Sequence, residues 1–429
     1  MDTEFFREHS KAMIALELEE ISSPTGSPEP RPSRARQEVA AAFSTRAVHA
    51  GRADFGELGV HAPPLDLSST YPLHDLPAAV HSLDELAAGH EPSGSPIYAR
   101  LHNPTVARFE EALAELEGTE KAVAFASGMA AITACLLAAR SADGPPRQHL
   151  VAVRPLYGGT DHLLASGLLG FTTSFVEARD IAAAIRPDTA LVMIETPANP
   201  TLEMVDIAAA AKAAGKVPLL VDSTFATPVL QRPVEHGAAL VLHSATKFLG
   251  GHGDVVGGVV ATSQAWAERL RQVRILTGSI LHPLAAYLLH RGLPTLALRV
   301  RAAQEGARFL AERLLRHPAV AKVAWPGLPG GDPHGLLGRQ MAGPGALIAF
   351  ELAGGFAAAA KVLAQVKLIT PAVSLGSTDT LIQHPAGLTH RLVDEAARRE
   401  HGISAGLLRL SVGVEDPIDL WGDLERALV

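Results

Sequence analysis

The sequence predicts an α/β fold in which a mostly parallel sheet is wound with helices and joined to a smaller α+β C-terminal domain. Between Val123 and Thr262, short β-branched runs alternate with alanine-rich helical stretches, which is the pattern of parallel strands connected by helices. After Pro294, a long helical stretch leads into shorter strands separated by Gly and Pro. With 429 residues and 47% hydrophobic content, the chain can bury more than one core.

Local signals place the individual elements. Asn103 and Pro104 are a cap and a first-turn proline, and they open a predicted helix with one apolar face. That face consists of Val106, Phe109, Leu113 and Leu116. The predicted strands begin at Val123, Leu150, Val217, Ala346 and Leu407. The first of these strands breaks at Ser127 and Gly128 into an alanine-rich helix.

A run of hydroxyl and glycine residues from His243 to Gly258 follows an apolar strand and surrounds one lysine. Lys247 comes directly after Thr246 and three positions after Ser244 in this run. A lysine amine in such a setting can form a Schiff base with an aldehyde cofactor, while hydroxyls bind a phosphate and glycines allow close backbone approach. The combination predicts pyridoxal 5'-phosphate (PLP).

The same run is also compatible with other kinds of site. A Ser-x-Thr-Lys sequence can cap a helix beside a solvated lysine. A dinucleotide fingerprint needs a third glycine where the chain has Val256, and a P-loop needs a lysine directly after its glycines. The two nucleotide motifs therefore fail, and the choice between a cap and a cofactor site depends on other residues.

Asp222 ends the predicted strand that begins at Val217. The carboxyl end of a buried strand is where an open α/β sheet places ligand contacts. An anion there can keep a pyridine nitrogen protonated, so that the ring accepts electrons from a substrate carbanion. Asp222 alone is also consistent with a helix cap or an Asx-turn. Together with Lys247 it favours the cofactor.

Two upstream strand ends supply further candidate contacts. At Ser127 and Gly128, the free N–H groups and the positive dipole end of the predicted helix can bind a phosphate. Tyr157 follows the strand that begins at Leu150, and its ring can stack on a pyridine. These strand ends face one crevice in a parallel sheet.

Short motifs occur in a fixed order from about Ser44 to the C-terminus. They are Tyr98-Ala-Arg-Leu-His-Asn-Pro-Thr, Ser127-Gly-Met, Tyr157-Gly-Gly-Thr, Glu195-Thr-Pro-Ala-Asn-Pro-Thr, Val221-Asp-Ser-Thr-Phe-Ala-Thr-Pro, Ser244-Ala-Thr-Lys, Val373-Ser-Leu-Gly, His384-Pro-Ala-Gly-Leu-Thr-His and Arg409-Leu-Ser-Val-Gly-Val-Glu-Asp. In these motifs the chain resembles the cystathionine γ-synthase-like PLP-dependent enzymes of cysteine and methionine metabolism. The resemblance implies a fold-type I PLP-dependent transferase that works as a homotetramer, a dimer of dimers with shared active sites.

The resemblance also implies roles for individual residues. Lys247 would bind the cofactor aldehyde and act as the general base, Asp222 would hold the ring nitrogen, and Tyr157 would stack on the ring and transfer protons. Further cofactor contacts would come from Ser127, Gly128, Met129, Thr224, Ser244 and Thr246, with Tyr98 and Arg100 reaching the phosphate from a neighbouring subunit. The substrate carboxylate would be held by Arg409, helped by Ser374 and Asn199.

The chain divides into four predicted parts. Residues 1–42 lie outside the resemblance, and their Ser- and Pro-rich second half predicts a flexible extension. Residues 43–102 would contribute to the neighbouring subunit's site. Residues 103–293 would form the PLP-binding domain, and residues 294–429 the C-terminal domain.

The resemblance implies a carbon–sulfur lyase that carries out γ-elimination on a methionine- or homocysteine-type substrate and yields 2-oxobutanoate, ammonia and a thiol. Val373 stands where family members that handle cystathionine usually carry a glutamate, which favours an uncharged distal substituent. Many methionine γ-lyases, however, have a cysteine where this chain has Gly159 and an aspartate where it has Ile275. Two alternatives therefore stay open: γ-replacement on an activated homoserine ester and a non-catalytic regulatory homologue.

Composition excludes other classes. The net charge of −8, without a dense basic block, argues against nucleic-acid binding. The uncharged stretch from Ala122 to Ala139 is too alanine-rich for a membrane span, and the N-terminus lacks a signal peptide, so we expect a cytoplasmic protein with a small amino-acid substrate. Cys135 is predicted to be a buried helix residue. The histidines lack metal-ligand spacing, so no metal is expected.

Overall fold

The computed structural model describes residues 41–140 and 146–429. The predicted extension, residues 1–42, lies outside the described residues except for its last two positions. Residues 42–429 form one structural unit. The predicted boundaries at residues 102/103 and 293/294 stay predictions. No helix in the described ranges is long and apolar enough to span a membrane.

The helices and strands are numbered along the chain. The helices are α1 (Phe43–His49), α2 (Phe55–Leu58), α3 (Leu76–Ala87), α4 (Pro104–Glu117), α5 (Gly128–Arg140), α6 (Gly158–Ser166), α7 (Ile181–Ala184), α8 (Ile207–Ala214), α9 (Thr227–Leu230), α10 (Gln264–Thr277), α11 (Pro283–Gly292), α12 (Leu296–Leu314), α13 (Gly355–Gln365), α14 (Glu395–Glu400) and α15 (Pro417–Ala427). The strands are β1 (Lys121–Phe125), β2 (His149–Val153), β3 (Thr172–Val176), β4 (Thr189–Glu195), β5 (Leu219–Asp222), β6 (Leu240–His243), β7 (Gly258–Thr262), β8 (Val320–Ala324), β9 (Leu347–Leu352), β10 (Thr370–Pro371), β11 (Leu381–Gln383) and β12 (Leu407–Ser411).

The larger sheet has, within the described ranges, seven strands in the order β1-β7-β6-β5-β4-β2-β3. Strands β2 to β6 pair in parallel, and β7 alone runs antiparallel to its neighbours β6 and β1. Strands β2, β4 and β5 are buried at every position, because helices cover both faces of a parallel sheet. The prediction of a mostly parallel, helix-wound sheet is confirmed.

Two apolar cores lie on the two faces of this sheet. Helices α4 and α11 contribute to one core, and helices α5 and α10 to the other. The predicted face of α4 is buried, and Phe109 and Leu113 at its centre are fully inaccessible. The Asn103 side chain accepts the N–H groups of Thr105 and Val106, which confirms it as the cap of α4. Cys135 is buried as predicted, and burial raises the pKa of its thiol.

The smaller sheet has, in the part of the chain that is described, five strands in the order β10-β11-β12-β9-β8. Only the β10–β11 pair is parallel. Helices α12, α13 and α15 pack against this sheet in a third apolar core. This arrangement confirms the predicted smaller α+β region, and it places Arg409 of β12 opposite Gln383 of β11.

No helix or strand was predicted between residues 43 and 102, yet helices α1 to α3 lie in this segment. Helix α3 begins after Asp75, whose side chain accepts the Ala78 N–H, and it has a proline in its first turn. Its apolar residues Leu76 and Val80 are 71% and 51% exposed. These apolar side chains of α3 are therefore not covered within this chain, whereas Ala79, Ser82 and Leu86 form its buried face.

Candidate active site

Four strands of the larger sheet end at one edge, because they run in parallel. Strand β2 leads to Tyr157, β4 ends with Glu195, β5 ends with Asp222, and β6 leads to Lys247. This edge is where an open α/β sheet binds its ligands. Chemically active side chains thus meet at one place although they are far apart in sequence.

Lys247 lies in the loop between β6 and β7. Its Nζ donates a hydrogen bond to Ser374 Oγ at 2.7 Å. Burial and, secondarily, the positive charge of Arg409 lower the pKa of Lys247 from 10.5 to about 8. The neutral amine is the nucleophilic and proton-accepting form, so this environment activates the lysine.

The loop that carries Lys247 is held by close backbone contacts. Arg299 of α12 donates hydrogen bonds to the carbonyl oxygens of Phe248 at 2.7 Å and Gly292 at 2.8 Å. Gly376 has φ +75°, and a Cβ there would lie 2.6 Å from the Phe248 nitrogen. Only glycine fits at this position. The sequence analysis did not identify Arg299, since its partners are carbonyl groups that no motif reveals.

Asp222 is 7% exposed at the end of β5. Its Oδ1 accepts the N–H of Thr224 at 3.0 Å and the hydroxyl of Thr224 at 2.6 Å. Burial raises the pKa of Asp222, and the Thr224 hydrogen bonds oppose this effect. No donor from the described residues reaches Oδ2. A pyridine ring nitrogen that carries a proton would supply the missing donor.

A turn suited to a phosphate lies beside Asp222 and Lys247. Ser127 Oγ accepts the Ala130 N–H at 3.1 Å, and by helix geometry the N–H groups of Gly128 and Met129 have no acceptor within the helix. A Cβ on Gly128 would lie 3.1 Å from Cβ of Ser244. The glycine therefore brings the turn against the lysine loop. The Thr246 hydroxyl is hydrogen-bonded to the backbone of Gly257.

The ends of β5 and β6 are tied together at this turn. Thr224 Oγ1 accepts the N–H of Ser244 at 2.8 Å while it donates to Asp222. The group that could hold a ring nitrogen and the loop that could hold a phosphate are thus fixed relative to each other. The donor set fits PLP: N–H groups and a hydroxyl for the phosphate, a carboxylate for the ring nitrogen and an amine for the aldehyde.

Tyr157 directly precedes α6, and the residue is 38% exposed. Its backbone N–H donates to Glu195 Oε2 at 2.6 Å. A Cβ on Gly159 would lie only 2.6 Å from Cε1 of the tyrosine ring. The absence of a side chain at residue 159 therefore leaves the ring room at the mouth of the crevice.

Arg409 is the central charged group of the C-terminal side of the crevice, and it is 2% exposed. Its Nη1 donates to Asn199 Oδ1 at 2.7 Å, and its Nη2 donates to the carbonyl oxygen of Ser374 at 2.8 Å. Burial lowers the pKa of Arg409 to about 10, and Glu195 opposes this effect. Arg409, Asn199, Ser374 and Lys247 are thus brought together.

Ser374 connects the two cationic groups and has an unusual backbone. Its φ is +116°, which is rare for a residue other than glycine. Its hydroxyl accepts from Lys247 and its carbonyl accepts from Arg409. Strained residues of this kind occur where surrounding contacts hold them, often at functional sites.

Tyr98 and Arg100 lie elsewhere on this chain. Arg100 Nη1 donates to the Ile275 carbonyl at 2.8 Å near the end of α10, and its guanidinium lies 5.6 Å from the centre of the Tyr98 ring. No contact of either residue with Lys247 or Asp222 occurs among the described residues. Their predicted role at a neighbouring subunit's phosphate stays a prediction.

Glu195 and His390 also belong to the site, although neither was assigned a role from the sequence. Glu195 accepts the N–H groups of both Tyr157 and Asn199, and burial together with the nearby Asp222 charge raises its pKa well above the usual range. His390 is fully buried and faces two backbone carbonyl groups. Glu195 carried the same signal as Asp222, a carboxylate at a strand end. His390 is the last residue of the motif that begins at His384.

An activated lysine, a buried carboxylate and a glycine turn at a helix start, all at one edge of a parallel sheet, define a PLP-dependent enzyme. Comparison with known proteins gives the family. The family model described as Cys/Met metabolism PLP-dependent enzyme matches residues 44–429. The chain belongs to this family, and the predicted cofactor and fold class are confirmed.

Individual relatives show how far the likeness extends. The L-methionine gamma-lyase of Brevibacterium aurantiacum is 59% identical over 386 residues, which cover 90% of this chain and 93% of that protein. The L-methionine gamma-lyase of Streptomyces avermitilis is 58% identical over 388 residues, or 90% and 89% of the two chains. The crystal structure of cystathionine gamma synthase from Xanthomonas oryzae pv. oryzae in complex with cystathionine is 38% identical, with a TM-score of 0.82 over 90% of this chain and 98% of that chain.

Proposed function

We propose that this protein catalyses γ-elimination on methionine or homocysteine. With the uptake of one water molecule, the reaction releases 2-oxobutanoate and ammonia, together with methanethiol from methionine or hydrogen sulfide from homocysteine. The enzyme class, a PLP-dependent carbon–sulfur lyase, is confirmed by relatives named L-methionine gamma-lyase at 58–59% identity. The observation that carries the proposal is the link through Ser374, which joins the amine of Lys247 to the guanidinium of Arg409. A substrate carboxylate on Arg409 would bring Cα close to that amine.

The residues divide the chemistry among them. Bound PLP supplies an electron-accepting ring that stabilises negative charge next to the substrate amine. Asp222 would keep the ring nitrogen protonated, and Gly128, Met129 and Ser244 would hold the phosphate. Lys247, whose buried setting favours the neutral amine, would remove the Cα proton and then serve for proton transfer at Cβ.

Groups outside the lysine loop would assist the departure of the γ-substituent and hold the substrate in place. The Tyr157 hydroxyl is the candidate group for proton transfer to the leaving thiolate. Arg409 binds the substrate carboxylate with its planar fork, and Asn199 keeps that fork in place through a 2.7 Å hydrogen bond. Val373 is 53% exposed beside Ser374 and brings no charge to the distal end of the substrate, which suits a thioether or a thiol.

A direct assay separates elimination from replacement. Purified holoenzyme is incubated with methionine, homocysteine, cystathionine or an O-acyl homoserine, with and without an added thiol, and 2-oxobutanoate and thioether products are identified by mass spectrometry. We expect 2-oxobutanoate from methionine or homocysteine without added thiol, and none from the Lys247→Ala variant. Product formation that requires a thiol acceptor would instead support γ-replacement.

We also propose a homotetramer in which dimers share active sites. Exposed apolar side chains in and before α3 support this assembly, since Leu67 is 62% and Leu76 is 71% exposed in the single chain. Complementation provides the test. Arg100→Ala and Lys247→Ala proteins are each expected to have little activity, and their mixture should regain activity after subunit exchange, because one site of each mixed dimer is intact. A mixture that stays inactive after exchange would contradict shared sites.

A further inference from the structure

Two loops at the carboxyl edge of the larger sheet are joined by a pair of buried side chains. One loop follows β2 and carries Leu156 and Tyr157, and the other follows β4 and carries Asn199. Glu195 accepts the N–H of Tyr157 at 2.6 Å and the N–H of Asn199 at 3.0 Å. His390 Nε2 lies 3.2 Å from the carbonyl oxygen of Leu156 and 3.2 Å from that of Asn199. The acid thus binds the N–H groups of the two loops, and the imidazole binds their carbonyl groups.

The contacts of His390 determine its protonation. A carbonyl oxygen only accepts hydrogen bonds, so Nε2 must carry the proton. Nδ1 lies 3.0 Å from Thr389 Oγ1, whose hydroxyl can donate to it. Burial, followed by the charge of Arg409, lowers the pKa of His390 to about 4, which keeps the ring neutral. One N–H group is therefore shared between two loops.

Each of the two loops carries a group to which the proposed function assigns a role. The loop after β2 presents the Tyr157 ring, and the loop after β4 presents Asn199, which holds Nη1 of Arg409. A shift of one loop relative to the other would change the distance between the tyrosine ring and the carboxylate-binding fork. His390 and Glu195 each form hydrogen bonds to both loops at once.

We propose that His390 is a positioning residue which, as a neutral imidazole with its proton on Nε2, holds the Tyr157 loop and the Asn199 loop at the separation that substrate binding needs. Glu195 completes the same connection on the N–H side. The inference rests on the proposed function, because it assumes that Tyr157 and Arg409 act on an amino-acid substrate.

Replacement of the imidazole tests the proposal, and the chain offers a matched control. His390→Leu removes the shared N–H, whereas His390→Gln returns an N–H donor at the position of Nε2. His384 lies six residues earlier on the same segment, is also buried, and binds the Ala405 carbonyl instead of either loop. His384→Leu therefore reports the general cost of losing a buried histidine there.

Glycine binding to the holoenzyme, followed by the change in cofactor absorbance, is the main readout. Glycine has the α-carboxylate and amine but no γ-substituent, so the measurement does not depend on elimination. We expect the Kd for glycine to rise about 10-fold in His390→Leu, to return to within about 3-fold of the parent in His390→Gln, and to stay at the parent value in His384→Leu. The melting temperature is measured for every variant.

Several outcomes would overturn the proposal. A parent-like Kd in folded His390→Leu, or an equal rise of the Kd in His384→Leu, would show that His390 only stabilises the fold. If His390→Leu does not fold, the isosteric Thr389→Val variant replaces it, because it removes the donor to Nδ1; an unchanged Kd there would overturn the proposal as well. If the parent enzyme forms no 2-oxobutanoate but binds glycine, the proposed function fails while the role of His390 is still tested.

Discussion

The amine of Lys247 in the cofactor-free protein is expected to titrate near pH 8, far below an ordinary lysine. Burial is the larger cause, because a charged ammonium loses hydration in the crevice, and the nearby cation of Arg409 adds to it. Lowering the pKa from 10.5 to about 8 raises the neutral fraction at pH 7 by about 300-fold. The protein thus prepares the amine before any cofactor arrives.

Competitive labelling measures this pKa directly. The cofactor-free protein is treated with a trace of acetic anhydride between pH 6 and 11, together with a model lysine compound, and acetylation of Lys247 is quantified by peptide mass spectrometry. The rate should rise about 10-fold for each pH unit up to about 8 and then level off. The Arg409→Met variant should level off at a higher pH that is still below that of the model compound, because burial remains.

The same shift predicts how stability depends on pH. The unfolded lysine keeps its proton up to about pH 10.5 while the folded one loses it near pH 8, so the unfolded chain binds more protons between these values and stability rises with pH there. Below pH 8, the buried Lys247 ammonium lowers the free energy of unfolding by its full amount. The Lys247→Met variant has no ammonium, so the difference in stability between the parent and this variant isolates that effect. A labelling curve for Lys247 that coincides with the model compound, or an identical stability slope in the variant, would refute the reasoning.

Three further predictions concern other residues. Asp222→Asn keeps the shape but removes the anion for the ring nitrogen, so kcat on methionine should fall by about 100-fold or more; a parent-like kcat would contradict its assigned role. Arg409→Lys keeps the charge and loses the fork, so KM should rise about 10-fold with a smaller effect on kcat, and an unchanged KM would argue against carboxylate binding there. Phe109→Ala should lower the free energy of unfolding in urea by about 3–5 kcal/mol, because Phe109 is fully buried in the core under the sheet. Leu168→Ala is the control for it, since Leu168 is 77% exposed and its loss should change little.

Much of the sheet edge could be predicted from the sequence, because parallel strands place whatever follows them at one edge. Asp222, Tyr157 and the turn at Ser127 all follow strands that alternate with helices, and the structure brings each of them to that edge. The cap at Asn103 and the buried face of α4 could also be predicted, because both signals come from residues that are close together in the sequence.

The contacts between the two sheets could not be predicted in the same way. Ser374 and Lys247 are hydrogen-bonded although they are 127 positions apart in the sequence, and His390 and Leu156 are 234 positions apart. Local sequence patterns predict each segment by itself and do not show which segments come into contact. The partners in the second contact are backbone carbonyl groups, which every residue has. A motif therefore located His390 without indicating what it binds.

The surroundings of Arg409 explain why a substrate carboxylate should bind there. Its hydrogen-bond partners are neutral: the amide oxygen of Asn199 and the carbonyl oxygen of Ser374. No carboxylate of the described residues forms an ion pair with it, although the guanidinium is almost fully buried. A buried cation without an ion-paired carboxylate is costly, and the interaction with the more distant Glu195 offsets only part of the effect of burial. The neutral acceptors fix the geometry of the fork without cancelling its charge. An incoming α-carboxylate supplies the missing negative charge. Its binding therefore offsets the unfavourable free energy of burying the Arg409 guanidinium, which favours binding of the amino acid.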